Sequence, residues 1–86
     1  MVPNDIRAKL TRRPFQPLRI HLSDGSSHEV SDETHATVSL MELAIGVEPD
    51  DSGLPRRAIY IDPRHVTRIE PIVPGTTPGG GSTNGN

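Results

Sequence analysis

A small, mainly β (α+β) domain is what this sequence predicts: a short N-terminal helix and a five-stranded antiparallel sheet curled into a small barrel over residues 1–73, then a disordered tail over residues 74–86. Three observations predict it. Apolar and polar residues alternate through Leu18-Arg19-Ile20-His21-Leu22, and Asp24-Gly25 separates them from Ser27-His28-Glu29-Val30. Pro14 ends a helical pattern that starts near Asn4. From Pro74 onward the chain holds five of its eight glycines and no apolar side chain except proline, a composition that cannot supply a core.

The helix is expected over residues 4–13. Asn4 suits the N-cap, Asp5 suits the positive end of the dipole, and Ile6 and Leu10 sit four apart on one face. Arg12 and Arg13 fall in its last turn, where cations are favoured, and Pro14 has no N–H with which to continue. So short a helix is marginal alone in water, so Ile6, Leu10 and Phe15 must dock on something apolar.

The first hairpin follows, and its register is decided by the faces it creates. A two-residue Asp24-Gly25 loop would set Ile20 against Glu29 and turn Val30 to the polar side. A three-residue loop Ser23-Asp24-Gly25, with Gly25 left-handed, pairs Leu18 with Val30, Arg19 with Glu29 and Ile20 with His28. The second choice keeps Leu18, Ile20, Leu22 and Val30 on one face and places an exposed ion pair between Arg19 and Glu29, worth under ~1 kcal/mol.

Residues 31–37 read as a polar connection. Met41, Leu43, Ile45 and Val47 then alternate with Glu42, Ala44, Gly46 and Glu48 as a third strand. A helix over residues 37–45 also fits, because Val38, Met41 and Ile45 have helical spacing; Gly46 and Val47 favour the strand. Residues 48–55, with two prolines, Gly53 and two aspartates, form a loop, and residues 58–61 a fourth strand. Asp62-Pro63 starts one tight turn over residues 62–65 before a fifth strand, Val66-Thr67-Arg68-Ile69-Glu70.

Composition bounds the rest. Apolar residues make up 31% of the 86, and Phe15 and Tyr60 are the only aromatics, so buried area is scarce and a second copy or another protein is the expected source of extra stability. The absence of cysteine removes disulfide scaffolds and thiol nucleophiles and fits a reducing compartment. No apolar run reaches the length of a signal core or a membrane span, so the expected location is cytoplasmic, with no membrane partner. The net charge of −2 hides a segregation: +4 over residues 1–19, −8 over residues 20–55 and +2 over residues 56–70. Either the ends of the domain meet the middle across the fold, or one face is basic.

The string Pro14-Phe15-Gln16-Pro17-Leu18-Arg19-Ile20-His21-Leu22-Ser23-Asp24-Gly25, with His28-Glu29-Val30, Ile59-Tyr60-Ile61-Asp62 and His65-Val66-Thr67-Arg68-Ile69-Glu70 after it, resembles a family of short uncharacterised bacterial proteins. These read as a helix, "PFxPFxIxLxDGxxFxV", a variable middle and "xIIDxxxITxIE". Leu18 and His28 stand where that pattern has aromatics. The resemblance implies the fold and carries no activity. The order of short strands, with one helical turn before the last, is also similar to the small SH3 and Sm-like barrels, a likeness of fold alone.

Candidate chemistry is thin. His21 and His28 fall on opposite faces, His35 lies in a loop and His65 in a turn, so no metal and no cofactor are expected. Ser23-Asp24 and Ser27-His28 are neighbours in a hairpin rather than a catalytic constellation, and no enzyme is expected. Nucleic-acid binding would use a basic face assembled from Lys9, Arg12, Arg13, Arg19, Arg56, Arg57, Arg64 and Arg68, as an Sm-like RNA or DNA regulator would. The leading expectation is a non-catalytic protein-interaction or self-assembly module that uses sheet edges and the loop before Arg57.

Overall fold

A computed structural model of the chain describes residues 1–73. The tail expected over residues 74–86 lies outside the described residues.

Helix α1 spans Pro3–Leu10, a shift from the expected bounds at both ends. Val2 is the N-cap and Pro3 takes the first helical turn, where a missing N–H costs nothing; Asn4 is already helical. At the other end the N–H and hydroxyl of Thr11 both donate to the Arg7 carbonyl, at 2.9 and 2.8 Å, and the chain leaves the helix there. Arg12 and Arg13 therefore stand outside α1. The residue before a proline avoids helical geometry, which pulls the exit upstream of Arg13. Ile6 and Leu10 are buried, and the helix packs mainly against the short strand Ala36–Val38.

Six strands follow: β1 (Leu18–Leu22), β2 (Ser27–Val30), β3 (Ala36–Val38), β4 (Leu43–Pro49), β5 (Pro55–Ile61) and β6 (Val66–Pro71). They form two three-stranded antiparallel sheets, ordered β2-β1-β6 and β3-β4-β5. The closed five-stranded barrel expected from the sequence is thus corrected. The additional strand is β3, hidden in a stretch that reads as polar connection. Ala36 pairs with Ile45 and Val38 with Leu43, but three residues carry too little alternation to declare themselves. The helix considered for residues 37–45 does not form, and the third expected strand starts at Leu43 rather than Met41. Ser39 explains the late start: its hydroxyl accepts the N–H groups of Met41 and Glu42, at 3.3 and 3.1 Å, and holds a tight turn. The loop expected over residues 48–55 shrinks to residues 50–54, because β4 and β5 run on to Pro49 and Pro55.

The first hairpin has the expected register, Leu18↔Val30, Arg19↔Glu29 and Ile20↔His28. Gly25 adopts φ 90°, and the Arg19 guanidinium meets the Glu29 carboxylate at 2.6 Å. A β-branched side chain is strained in that backbone region, so Gly25→Val is expected to cost about 1–2 kcal/mol in denaturant unfolding. Gly25→Asn is expected to cost well under half as much, since Asn tolerates the left-handed region.

Aspartates build four of the connections. Asp24 accepts from the N–H and hydroxyl of Ser26, Asp32 from those of Thr34, Asp50 from those of Ser52, and Asp62 from the N–H of Arg64. Each carboxylate satisfies turn N–H groups that the ladders cannot reach. The last two of these sites precede the expected tight turn at Pro63–His65 or close the β4–β5 hairpin.

The core draws on every layer: Ile6 and Leu10 from α1, Leu18, Ile20, Val30 and Val66 from the first sheet, Ala36, Leu43 and Ile45 from the second. Leu22, Ile59, Ile61 and Ile69 pack against it but are only partly buried.

Candidate interaction surface

The eight expected cations are spread over several elements, and five of them are paired. Arg13 reaches Glu33 at 3.2 Å, Arg19 reaches Glu29, Arg57 reaches Glu48 at 2.6 Å, Arg64 reaches Asp62 at 2.7 Å, and Arg68 approaches Glu70 at 3.7 Å. The first three of these pairs join the basic ends of the sequence to its acidic middle. Lys9 and Arg12, with Arg7 and Arg56, have no carboxylate partner among the described residues. Arg19 and Arg68 share the outer face of the first sheet, where Glu70 and Glu29 lie between and beside them.

Two histidine contacts organise that sheet and its end. His21 Nε2 lies 2.6 Å from Glu70 Oε1, across the β1–β6 pair, and this hydrogen bond holds the Glu70 carboxyl below its ordinary value. His65 Nδ1 lies 3.1 Å from Ser23 Oγ, while the Ser23 N–H donates to the His65 carbonyl at 2.8 Å. The second pair borders a surface groove of about 350 Å³ lined by Leu22, Asp24, Tyr60 and Asp62. A serine nucleophile needs a histidine whose other nitrogen is oriented by a carboxylate. Here Asp62 is committed to Arg64 through both carboxylate oxygens, Oδ1 accepting from Nε at 3.2 Å and Oδ2 from Nη2 at 2.7 Å. The double contact between Ser23 and His65 instead clips the first hairpin loop to the turn before β6. Among the described residues no group of three metal-ligating side chains converges, and no helix is long and apolar enough to cross a membrane.

The Arg64 guanidinium, together with the Arg64 N–H, lowers the Asp62 carboxyl from 3.8 to about 2. The unfolded chain therefore binds this proton first as pH falls, so the stability linked to Asp62 is complete above about pH 4 and drains away toward pH 2. Asp24, Asp32, Asp50, Glu48 and Glu70 are shifted in the same direction by their own hydrogen bonds. Stability is expected to decline over this acid range, modestly because these carboxylates are exposed and screened, and Asp62→Asn is expected to flatten part of that slope in denaturant titrations run from about pH 5 to about pH 2.

The most exposed sheet element is β5. Ile59 and Ile61 face inward, opposite the fully buried Ile45 and Leu43, yet stay only partly covered. Ala58 and Tyr60 face outward over Gly46 and Ala44, and Tyr60 is 66% exposed. The open edge of β5 can be read from its neighbours. Ser39 N–H donates to Glu42 O at 2.8 Å and closes the β3–β4 hairpin. Main-chain groups alternate sides along an antiparallel strand, so Thr37 and Ala44 are the next bonded pair and Leu43, Ile45 and Val47 turn their groups toward β5. The N–H and C=O of Ala58 and Tyr60 then point away from β4, to an edge that pairs with no other strand among the described residues. From the other end, Asp50 N–H donates to Leu54 O at 2.8 Å, which is the opposite phase. The two phases meet at Glu48, which has φ 57° and is missing from the otherwise continuous ladder.

A second apolar feature is the β3–β4 turn. Leu40 and Met41 are 81% and 78% exposed at its tip. Sequence reasoning placed Met41 inside a strand and took Tyr60 as scarce aromatic bulk. The signal for Tyr60 was present, since alternation with Ile59 and Ile61 puts it on the other face. Comparisons with protein-family models, with curated proteins and with solved structures find no match to this chain.

Proposed function

We propose that this chain is a non-catalytic protein-interaction or self-assembly module that works through strand edges, on an opened SH3- or Sm-like barrel. The barrel likeness is supported by β6 returning to pair with β1 after a helical turn at Pro63–His65, and by the break between β2 and β3 that divides the sheets. The observation that carries the functional reading is the edge of β5 that no strand among the described residues covers, on a seven-residue strand with Tyr60 exposed and two isoleucines partly covered. Unpaired edges are natural sites for adding a strand. The β6 edge carries its charges, Arg68 and Glu70, within the strand, whereas those of β5, Arg56 and Arg57, sit toward one end.

The alternative, an RNA- or DNA-binding regulator with a basic face, draws on Lys9 and Arg12 beside Arg7, and on Arg56; Arg13, Arg19, Arg57, Arg64 and Arg68 already sit beside carboxylates. Sedimentation over roughly three decades of concentration tests the leading reading. Mass rising above that of one chain is the expected result, and a strictly monomeric particle would remove self-assembly.

A further inference from the structure

We infer that the partner of the β5 edge is a second copy of this chain, its β5 running antiparallel about a two-fold axis at Ile59. This rests on the self-assembly reading and adds a surface, a register and a symmetry to it.

The register follows from where regular strand geometry exists. The phase of main-chain groups is interrupted at Glu48, opposite Arg56, and Pro55 has no N–H to give; at the other end Pro63 begins the turn. The uninterrupted edge is therefore residues 57–61, and an antiparallel strand overlaps its own copy most fully when the axis passes through the middle residue. Ala58 then pairs with Tyr60 of the second copy, twice over. These are the residues whose N–H and C=O face outward, so four main-chain hydrogen bonds form. Ile59 meets its symmetry mate on the inner face, and Arg57 lies along the other Ile61, covering the two isoleucines that the core leaves partly open. On the outer face, Tyr60 lies beside the small Ala58 of the other copy. Charge selects the direction. Parallel pairing would stack Arg56 and Arg57 of one copy on those of the other, whereas antiparallel pairing separates them and leads Arg56, which has no carboxylate partner among the described residues, toward the Asp62–Arg64 pair of the second copy, while Arg57 stays with Glu48. A C2 interface needs one patch complementary to itself, and this edge has that property.

The chain contains no cysteine, so a single introduced thiol reports the axis directly. Across a non-bonded antiparallel pair, Cα atoms lie about 4.5 Å apart, within disulfide reach. Ile59→Cys is expected to give a reducible covalent dimer on mild oxidation, while Thr67→Cys on β6 remains monomeric. Ile59→Cys removes apolar volume packed against the core, so Tyr60→Pro provides the second arm. Residue 60 makes no hydrogen bond to β4, so proline leaves the internal ladder whole and removes one intermolecular N–H from each copy. It is expected to raise the dimer dissociation constant about thirtyfold with an unchanged circular dichroism spectrum. If the protein self-associates yet Ile59→Cys fails to cross-link and Tyr60→Pro leaves the association intact, the inference is overturned while self-assembly stands on another surface. A chain that stays monomeric at every concentration overturns both.

Discussion

Replacing Ile45 by alanine is expected to lower the unfolding free energy by about 3–4 kcal/mol in urea titrations, with the m-value unchanged. Ile45 is fully buried on β4, the central strand of its sheet, where it is flanked by Ala36 on one side and Ile59 on the other. A cavity at that point has no mobile neighbour to fill it, since both flanking strands are tied to β4 by their ladders. A domain of this size has about 4–10 kcal/mol of stability in total, so the variant is expected to be partly unfolded near 37 °C. Ile45→Val is expected to cost only about 1 kcal/mol, because one methylene leaves a smaller void. Ile59→Ala is expected to fall between them, as that side chain is only partly covered in one copy. A loss below about 1 kcal/mol for Ile45→Ala would show that the second sheet does not share the core with the first.

Gly46→Val is expected to destabilise by about 2–3 kcal/mol for the opposite reason, overpacking. A Cβ placed on Gly46 would come within 2.5 Å of Pro55 Cγ and 2.7 Å of Pro55 Cβ, with the His35 carbonyl at 3.5 Å. The proline ring cannot rotate away, so the clash pushes β5 from β4 beside the irregular step at Glu48. A double-mutant cycle separates this contact from the ordinary preference of strands for β-branched residues. Gly46→Val in a Pro55→Gly background is expected to recover more than half of the loss. A loss of equal size in both backgrounds would place the cause elsewhere in the strand. Gly46 thus acts as a clearance that lets Pro55 cross β4, which is a close-approach role rather than a turn role.

Much of the first half of the fold is legible because it is local. In the stretch 18–30 the alternation and the chemistry of Ser23-Asp24-Gly25 are enough to define strand, turn and pairing partner, and the observed register agrees residue by residue. Asp62-Pro63 likewise carries its own turn, with a carboxylate acceptor and a preset φ in adjacent positions. The middle of the chain is less legible for a stated reason. Val38 and Met41 have helical spacing and Met41 and Leu43 have strand spacing, so periodicity alone assigns Met41 to an element it does not join. Ser39 settles the matter by capturing two N–H groups, a contact no pattern of hydrophobicity encodes.

The candidate surface divides in the same way. Exposure of Tyr60 was implied by its alternation with Ile59 and Ile61. That the edge beside it is free was not implied, because a strand's second neighbour is set by the path of the whole chain. The basic residues divide too: their clustering left open one basic face or basic ends meeting the acidic middle, the Arg19–Glu29 pair followed from the hairpin register, and folding set Arg13 and Arg57 against Glu33 and Glu48.

By itself, then, the sequence determined the mainly β class, the helix that stops before Pro14, the first hairpin with its register and the turn before the last strand. Each depends on residues within a few positions of one another, where backbone preference and turn chemistry act without help. Only the tertiary structure decided that β3 exists, that the strands divide into two sheets, that β6 returns to β1 and that β5 is left open. Those outcomes depend on hydrogen bonds between residues as far apart as Leu18 and Pro71, whose closure is favoured by burial of a shared core rather than by any local signal.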